Sequence, residues 1–366
     1  MVRHAFITIT DYDFFPGTLA TISSVLEFQP CADVFVIYNE KRPLTPPQFA
    51  CISHGKNVSV LSSSQFAENG RFINAWELKA YAAHDLAHAY DVIVGIDSDC
   101  LLCSNVDDEI ARSFQSGGVS GGKDGDGAKY DDSYRVYGLS PPAYNSRYMS
   151  TSLYFCAVTD ANRRVLRKWA DCCSRAVFNG TGPCPGHGDQ GVLNAVLFAE
   201  NRAANVQLLD NCLWSQHSVY WESIIEYRDG VFCNRSAQGQ RQRAFHCGGT
   251  EKFWAKAHST RVLDSNQAQT YPYVWFLAML WFGASRNRVI DPLEYLPPAS
   301  HHLCEDLVRF APKIAEVYPP ARGPSPDRGS QVAATHFSAA SLKSNINQDY
   351  RSDPQPNSTT LEVDWS

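Results

Sequence analysis

Three features that would indicate a nucleic-acid binder, a membrane-spanning protein or an exported protein are missing from this sequence. The net charge of the 366 residues is −6 at pH 7, so the strongly basic balance of a nucleic-acid-binding protein is absent. The longest apolar run, residues 274–283, is far shorter than the ~20 residues that a membrane-spanning helix needs. The first residues contain neither an apolar signal region nor a small-residue cleavage site. We therefore expect a soluble, cytoplasmic protein that binds no nucleic acid.

Internal repeats and a complete cysteine motif for zinc are also missing. The chain has 12 cysteines, which we interpret as mostly reduced because no export signal is present. Cys100 and Cys103 form a C-x2-C pair, but a zinc site needs a second pair, and Cys172 and Cys173 are adjacent rather than spaced. We interpret Cys100 and Cys103 as small apolar residues that flank a buried strand.

Strand and helix patterns alternate regularly in the first hundred residues. β-branched or fully apolar stretches predict strands over residues 4–10, 34–38, 58–61 and 92–96. Stretches with one apolar face, or rich in Ala and Leu, predict helices over residues 17–27, 46–53 and 75–89. This alternation is typical of the α/β class, in which a mostly parallel sheet is flanked by helices on both faces.

The second half of the chain predicts further elements and three regions. Strands are expected over residues 148–158 and 244–247, and helices over 161–178 and 190–200. Residues 271–318 are expected to be helical, with breaks at the prolines Pro292, Pro297, Pro298 and Pro312. We predict one α/β domain over residues 1–260, a helical C-terminal extension over 261–318, and a disordered tail over 319–366, where polar residues and proline dominate.

Two carboxylates follow the fourth predicted strand directly. Residues 92–96 are apolar, and the chain then continues as Asp97-Ser98-Asp99, so that two carboxylates two positions apart stand at a strand end. Ligands of parallel α/β sheets bind beyond the carboxyl ends of the strands. Hard divalent cations prefer oxygen ligands and keep positions free for substrate phosphates. The pair is a candidate site for Mn²⁺ or Mg²⁺, although a solvated acidic turn would show the same pattern.

Two further polar segments are candidates for the same site. His246, followed by Gly248, Gly249, Lys252 and Trp254, offers an imidazole ligand, a backbone that approaches a phosphate closely and a positive charge. Asp189 and Gln190 stand at a predicted helix start, where Asp189 would equally serve as an N-cap. Each segment also has a purely structural interpretation when it is taken alone.

Taken in order along residues 4 to 256, these motifs resemble the family-8 retaining glycosyltransferases, a group that includes glycogenin and bacterial galactosyl- and glucosyltransferases. The resemblance begins with a strand that runs into Thr10-Asp11-Tyr12 and continues with Asp97-x-Asp99. It then includes the strand that begins at Tyr148 and the segment Asp189-Gln190-x-x-Leu193-Asn194. It ends with His246-x-Gly248-x-x-x-Lys252-x-Trp254.

The resemblance implies a GT-A type fold and a role for each matching residue. Asp97, Asp99 and His246 would hold Mn²⁺ or Mg²⁺ through a DXD motif and one histidine. Asp189 and Gln190 would be catalytic residues beside the anomeric carbon. The donor-binding residues implied are Thr8, Thr10, Asp11, Tyr12, Lys79, Ser98, Thr151, Ser152, Gly248, Gly249 and Lys252.

By the same resemblance, the chain is expected to be a metal-dependent hexosyltransferase. It would move a sugar from a nucleotide-sugar donor, with UDP as the expected nucleotide, to an acceptor hydroxyl with retention of configuration. The acceptor would be a glycan, a protein or a lipid-linked molecule. The alternative is a non-catalytic scaffold that binds nucleotide sugars on the same fold.

Three other patterns leave alternatives open. Residues 271–282 are apolar and aromatic on every side, which fits a core helix, a homodimer interface or peripheral contact with a membrane. His84 and His88 at i and i+4 resemble a zinc-protease motif, but that motif has Glu where Asp85 stands, so a solvated helix face is expected. The segment that starts at Asp124 resembles a calcium loop without its closing Glu, and we expect a mobile loop near the donor.

Overall fold

The computed structural model describes residues 2–53, 57–66, 75–124, 147–178, 188–214, 216–217, 225–248, 252–264, 270–286 and 292–318. Its strands are β1 (His4–Thr10), β2 (Asp33–Tyr38), β3 (Val58–Ser62), β4 (Val92–Ile96), β5 (Cys100–Leu102), β6 (Val119–Lys123), β7 (Met149–Ala157), β8 (Val206–Leu209), β9 (Gln216–His217), β10 (Ile225–Arg228), β11 (Val231–Asn234), β12 (Gln240–Arg241) and β13 (Ala244–His246). Its helices are α1 (Phe15–Phe28), α2 (Pro46–Ser53), α3 (Ala75–Leu86), α4 (Asp107–Ser116), α5 (Asp160–Phe178), α6 (Gly188–Ala199), α7 (Asn211–Trp214), α8 (Lys256–Asp264), α9 (Thr270–Arg286), α10 (Pro292–Tyr295), α11 (His302–Arg309) and α12 (Ala311–Val317).

The main sheet of the described residues has seven strands in the order β3-β2-β1-β4-β7-β6-β8. β1 pairs in parallel with β2 and β4, β2 with β3, and β6 with β8. β7 alone runs antiparallel to its neighbours β4 and β6. This arrangement confirms the predicted α/β class with a mostly parallel sheet.

Successive side chains along the central strands are buried in two separate hydrophobic cores, one on each face of the sheet. Phe6 of β1 and Val94 of β4 lie in a core that also contains residues of α1 and α9. Ile7 and Ile93, one position away on the same strands, lie in a second core with residues of α3, α5 and α6. This follows from the two-residue period of a strand, which turns successive side chains to opposite faces. Helices therefore flank both faces, as the sequence predicts.

The aromatic segment 271–282 lies in the first core. From Tyr273 to Leu280, every residue of α9 is at most 1% exposed, and the Trp275 indole donates to Leu102 O at 2.9 Å. The core alternative therefore describes this segment. Within the described ranges, no helix has the length and apolar character needed to cross a bilayer.

Several elements were not anticipated from the sequence. The additions are the sheet β10-β11-β12, the strands β5, β8 and β9, and the helices α4, α7 and α8, whereas β13 confirms the strand predicted over residues 244–247. α8 runs across residue 260, and the division into regions at 260 and 318 stays a prediction. The predicted tail over 319–366 and Gly249 lie outside the described residues.

Candidate functional site

The candidate site forms at the edge of the main sheet where the parallel strands end. β1, β4 and β6 run in the same direction, so Thr10, Asp97 and Asp124 come to the same edge. β7 runs in the opposite direction and therefore begins at this edge, with Thr151 as its third residue. The Asp97 N–H donates to Ser152 O at 2.8 Å, which ties the end of β4 to β7. Residues more than fifty positions apart in the sequence are thus brought together.

The turn between β4 and β5 is clamped by the first helix. The Thr21 hydroxyl of α1 lies 2.9 Å from Cys100 O and 3.1 Å from Ser98 O. A Cβ atom added at Gly17 would collide with Ser98 O and with the Trp254 ring, so only glycine allows this approach. Ser98 is itself buried, and its backbone rather than its side chain makes these contacts.

The pairing of β13 with β5 brings the distant histidine to the acidic turn. His246 faces Cys100 in this antiparallel pair, and the Cys247 N–H donates to Asp99 O at 2.9 Å. Ligand atoms of Asp97, Asp99 and His246 all lie within 4.8 Å of one another. His246 Nε2 is 3.5 Å from Asp99 Oδ1, a separation that a single ion with bonds of about 2.1 Å to each atom would bridge. Carboxylates suit Mn²⁺ and Mg²⁺, and the imidazole favours a transition metal, so the donor set fits Mn²⁺.

A buried lysine joins two of the acidic residues. Lys79 Nζ of α3 lies 2.5 Å from Asp97 Oδ1 and 3.2 Å from Asp189 Oδ2. It also donates to Thr151 O at 3.2 Å. Burial alone would lower the pKa of Lys79, but the carboxylates of Asp189 and Asp97 outweigh burial and raise this pKa. Lys79 is therefore a fixed positive charge that holds three parts of the edge together.

A second lysine pairs with the other acidic residue of the turn. Lys252 Nζ lies 2.5 Å from Asp99 Oδ2, on the oxygen opposite to the one that faces His246. Burial would raise the pKa of Asp99, but Lys252 and His246 outweigh burial and hold this pKa well below its usual range. Asp99 therefore stays ionised, which is the form that binds a cation.

Asp189 and Gln190 lie at the start of α6, against the same cluster. The Trp169 indole donates to Asp189 O at 3.0 Å, and the Thr151 hydroxyl donates to Asp189 Oδ2 at 3.4 Å. Burial, with a further contribution from Asp97, raises the pKa of Asp189 despite the nearby Lys79. Gln190 accepts a hydrogen bond from Thr151 N at 3.1 Å. Asp189 thus shares Lys79 with the predicted metal ligand Asp97, and Gln190 joins the same cluster through Thr151.

The residues predicted to contact the nucleotide lie at the end of β1, but several are engaged in the fold. The Thr18 hydroxyl donates to Thr10 Oγ1 at 2.7 Å, and Asp11 Oδ1 accepts from the backbone N–H groups of Asp13 and Phe14. Thr8 is 1% exposed. Tyr12 is half-buried. The side chain of Ser152 pairs with Ser150 Oγ at 2.8 Å.

Phe14 was not anticipated as a site residue. Its ring is 38% exposed, packs edge-on against Trp254 with centroids 5.4 Å apart, and has Lys252 Nζ 5.8 Å from its centroid. The signal was present in the sequence, because two successive phenylalanines directly after a polar turn are unusual in a solvated loop. The sequence likewise marks Asp124 only as the start of a loop, whereas the structure shows its contact with Gln190.

The other residues that the sequence offers as metal ligands, His84, Cys100 and Cys103, do not belong to a metal-binding group in the described residues. His84 Nδ1 pairs with the neighbouring Asp85 at 2.9 Å, and across the ranges that the structure describes only Asp97, Asp99 and His246 form a group that could hold an ion. Cys100 and Cys103 are free and buried, and burial raises the pKa of each thiol well above its usual range. These findings agree with the interpretation of His84 as part of a surface face and of both cysteines as inert core residues.

Comparison with known proteins gives similarity to solved structures only. No family model matches the chain, and a search of curated proteins finds no match. The apo structure of WbbM, described as a bifunctional glycosyltransferase, superposes with a TM-score of 0.48 at 13% identity and covers 79% of this chain. This chain covers 52% of WbbM, or about half its length. The galactosyltransferase LgtC with donor and acceptor sugar analogs gives a TM-score of 0.47 at 13% identity, covering 75% of this chain and 95% of LgtC. An active-site mutant of LgtC gives 0.44 at 13% identity, with coverage of 71% and 94%.

Proposed function

We propose that this chain is a glycosyltransferase that moves a sugar from a nucleoside-diphosphate sugar, with UDP as the nucleotide, to an acceptor hydroxyl. The observation that supports this most strongly is the convergence of Asp97, Asp99 and His246 within 4.8 Å at the ligand-binding edge of an α/β sheet. Two lysines adjoin this group, so cationic and anionic groups needed for a metal–diphosphate complex stand side by side. The resemblance of the sequence motifs to family-8 enzymes supports the same reaction with retention of configuration.

Each residue of the cluster would have a separate task in this reaction. Asp97, Asp99 and His246 would hold Mn²⁺, which when bound would offset the charge of the diphosphate and stabilise it as the leaving group. Lys252 pairs with Asp99, so its ammonium group would lie close enough to the ion to contact a phosphate bound to that ion. Phe14 offers an exposed ring on which the base of the nucleotide would stack. Lys79 would keep the carboxylates of Asp97 and Asp189 in fixed positions.

The chemical step requires little from a base on the protein. The bond between the anomeric carbon and the phosphate oxygen breaks, and the acceptor oxygen forms the new bond from the same face. The proton of the acceptor hydroxyl passes to the departing diphosphate. Asp189 and Gln190 would line the sugar side of this step, where a buried carboxylate stabilises positive charge that develops at the anomeric carbon.

One observation favours a second candidate, a scaffold that binds nucleotide sugars without turning them over. Both carboxylates of the turn are already paired with lysines at 2.5 Å, so their charges are compensated by the chain itself. A scaffold of this kind would bind a nucleotide sugar equally well with and without a divalent ion. The enzyme proposed above would not.

Release of UDP from a panel of UDP-sugars, measured with Mn²⁺, with Mg²⁺ and with EDTA, separates the two candidates. We expect metal-dependent release from one donor, and a loss of about a hundredfold or more in Asp99→Ala. The bond from Cys247 to the Asp99 backbone carbonyl is kept in this variant, whereas Lys252 loses its carboxylate partner, so thermal unfolding is measured beside activity. Asp85→Asn, on the exposed end of α3, is the control. Equal UDP-sugar binding with EDTA and no release from any donor would favour the scaffold.

A further inference from the structure

The side-chain amide of Gln190 is held at both ends. Its Oε1 accepts from the Thr151 backbone N–H at 3.1 Å, and its Nε2 donates to Asp124 Oδ2 at 2.6 Å. A flipped amide would place two donors against each other at Thr151 and two acceptors against each other at Asp124. The amide therefore has one orientation, and among the described residues nothing bonds to its second N–H, which is available to a ligand.

An irregularity in the sheet creates the position that this amide occupies. Along β6 and β7, Gly121 faces Tyr154 while Lys123 faces Met149, so residues 150–153 of β7 lie opposite Gly122 alone. The extra residues push Thr151 out of the regular ladder, and its N–H bonds to Gln190 instead. Bulges of this kind often turn a side chain toward a functional site. The pairing resumes at Lys123 and Met149, and the N–H of the next residue, Asp124, donates to Tyr148 O at 3.2 Å. This bond fixes the backbone that carries the Asp124 carboxylate.

The Asp124–Gln190 pair is continuous with the charged cluster. Thr151, which donates its N–H to Gln190, accepts a hydrogen bond from Lys79 through its carbonyl at 3.2 Å. Lys79 in turn contacts Asp97 and Asp189. Asp124 is thus a fourth carboxylate of this cluster, linked to Asp97 through the Gln190 amide, the backbone of Thr151 and the Lys79 ammonium group.

We propose that Asp124 is a positioning residue for the donor sugar: it fixes the amide of Gln190 so that the second N–H of Nε2 meets a hydroxyl or ring oxygen of the sugar. This inference rests on the proposed function, since it concerns the sugar half of the same donor. In the proposed function the metal and the diphosphate would be held at Asp99 and Lys252, which pair with each other and not with Asp124 or Gln190. Asp124 therefore acts on the sugar and not on the nucleotide.

The test compares Asp124→Ala with Asp124→Asn, with Asp85→Asn as the control on an exposed carboxylate. Asn keeps a carbonyl that accepts from Gln190, whereas Ala leaves the amide without its partner. Calorimetry gives the affinity for UDP with Mn²⁺ and for the UDP-sugar with Mn²⁺, and steady-state kinetics give kcat and KM. Thermal unfolding of all three variants shows whether the fold is retained.

We expect Asp124→Ala to lower kcat about tenfold or more while the affinity for UDP changes less than about twofold, and Asp124→Asn to recover most of the loss. A kcat within about twofold of wild type in Asp124→Ala would overturn the proposal, as would an equal loss in Asp124→Asn or a parallel loss of UDP affinity. If the wild type binds UDP and Mn²⁺ but turns over no donor, the proposed transferase function fails on its own. The ratio of the affinity for the UDP-sugar to the affinity for UDP then tests the role of Asp124. This ratio should fall in Asp124→Ala and stay near the wild-type value in Asp124→Asn and Asp85→Asn.

Discussion

Lys252 Nζ lies 2.5 Å from Asp99 Oδ2, while the other oxygen of the same carboxylate faces His246 Nε2 at 3.5 Å. One carboxylate is thus shared between an internal cation and the position where an external cation fits. Lys252 opposes a divalent ion by charge repulsion, yet it attracts the diphosphate that the ion would accompany. Metal and nucleotide binding are therefore expected to depend on each other through this lysine.

Replacement of Lys252 by Met removes the charge and keeps most of the stem. We expect Mn²⁺ alone to bind roughly tenfold more tightly to Lys252→Met, and UDP with Mn²⁺ to bind roughly tenfold more weakly. Calorimetric titration of Mn²⁺, with and without UDP, measures both changes. Lys256→Met at the start of α8 is the control. Weaker binding of Mn²⁺ alone would indicate instead that Lys252 serves to orient Asp99.

The exposed ring of Phe14 provides a test of where the base lies. Stacking of an aromatic side chain on a base contributes about 1–3 kcal/mol, so Phe14→Ala should weaken UDP binding roughly tenfold or more. Pyrophosphate, which has no base, should bind Phe14→Ala and wild type alike. Phe114→Ala removes a ring of similar exposure from α4 and is the control. Unchanged affinity for UDP would exclude Phe14 from the nucleotide site.

The sequence predicts Asp97 and Asp99 as candidate metal ligands, but it does not predict the pairs that Lys79 and Lys252 form with them. An apolar strand that ends in two carboxylates is a local signal, and the strand over 92–96 is confirmed with the same bounds. The contact between Lys252 and Asp99 joins positions 153 apart and depends on how β13 pairs with β5, which no local pattern specifies. The resemblance placed Lys79 near the donor, and the structure adds that Lys79 contacts Asp97 and Asp189 together.

The register irregularity opposite Gly122 had no local signal either. A strand over residues 148–158 was predicted with close bounds, but pairing offsets depend on the partner strand rather than on the strand itself. The contact of Asp124 with Gln190 follows from that offset. The small sheet β10-β11-β12 was missed for a related reason, since its strands have only two to four residues and show little alternation.

Gly17 provides a stability test of the clamp on the acidic turn. A methyl group at this position would collide with Ser98 O, which is backbone and cannot move aside freely, and with the ring of Trp254. We expect Gly17→Ala to lower the free energy of unfolding by about 1–3 kcal/mol, measured by urea titration. Gly239→Ala is the matched control, because a Cβ there meets nothing within 4 Å, although its positive φ of 74° adds some strain. A smaller loss of unfolding free energy in Gly17→Ala than in Gly239→Ala would show that the turn accommodates the added methyl group at little cost.

The pH dependence of stability tests whether burial raises the pKa of Glu109. Its side chain has no solvent exposure and accepts from the Ser120 hydroxyl at 2.7 Å and from Arg112 at 2.7 Å. Burial raises the pKa of Glu109 above its ordinary value of 4.5, and the bonds from Ser120 and Arg112 offset only part of this effect. The folded state then binds the proton more tightly than the unfolded state. Stability contributed by Glu109 is therefore full below about pH 4.5 and falls as the pH rises through the raised pKa.

Glu109→Gln keeps the shape and an acceptor for Ser120 but does not titrate, so it escapes this loss. We expect the variant and the wild type to have similar Tm values at pH 4, and the variant to have the higher Tm at pH 7. Scanning calorimetry at several pH values between these limits should show the difference growing with pH. A difference that shrinks with pH would mean that the ion pair with Arg112 outweighs the burial of Glu109, which would reverse the sign of the linkage.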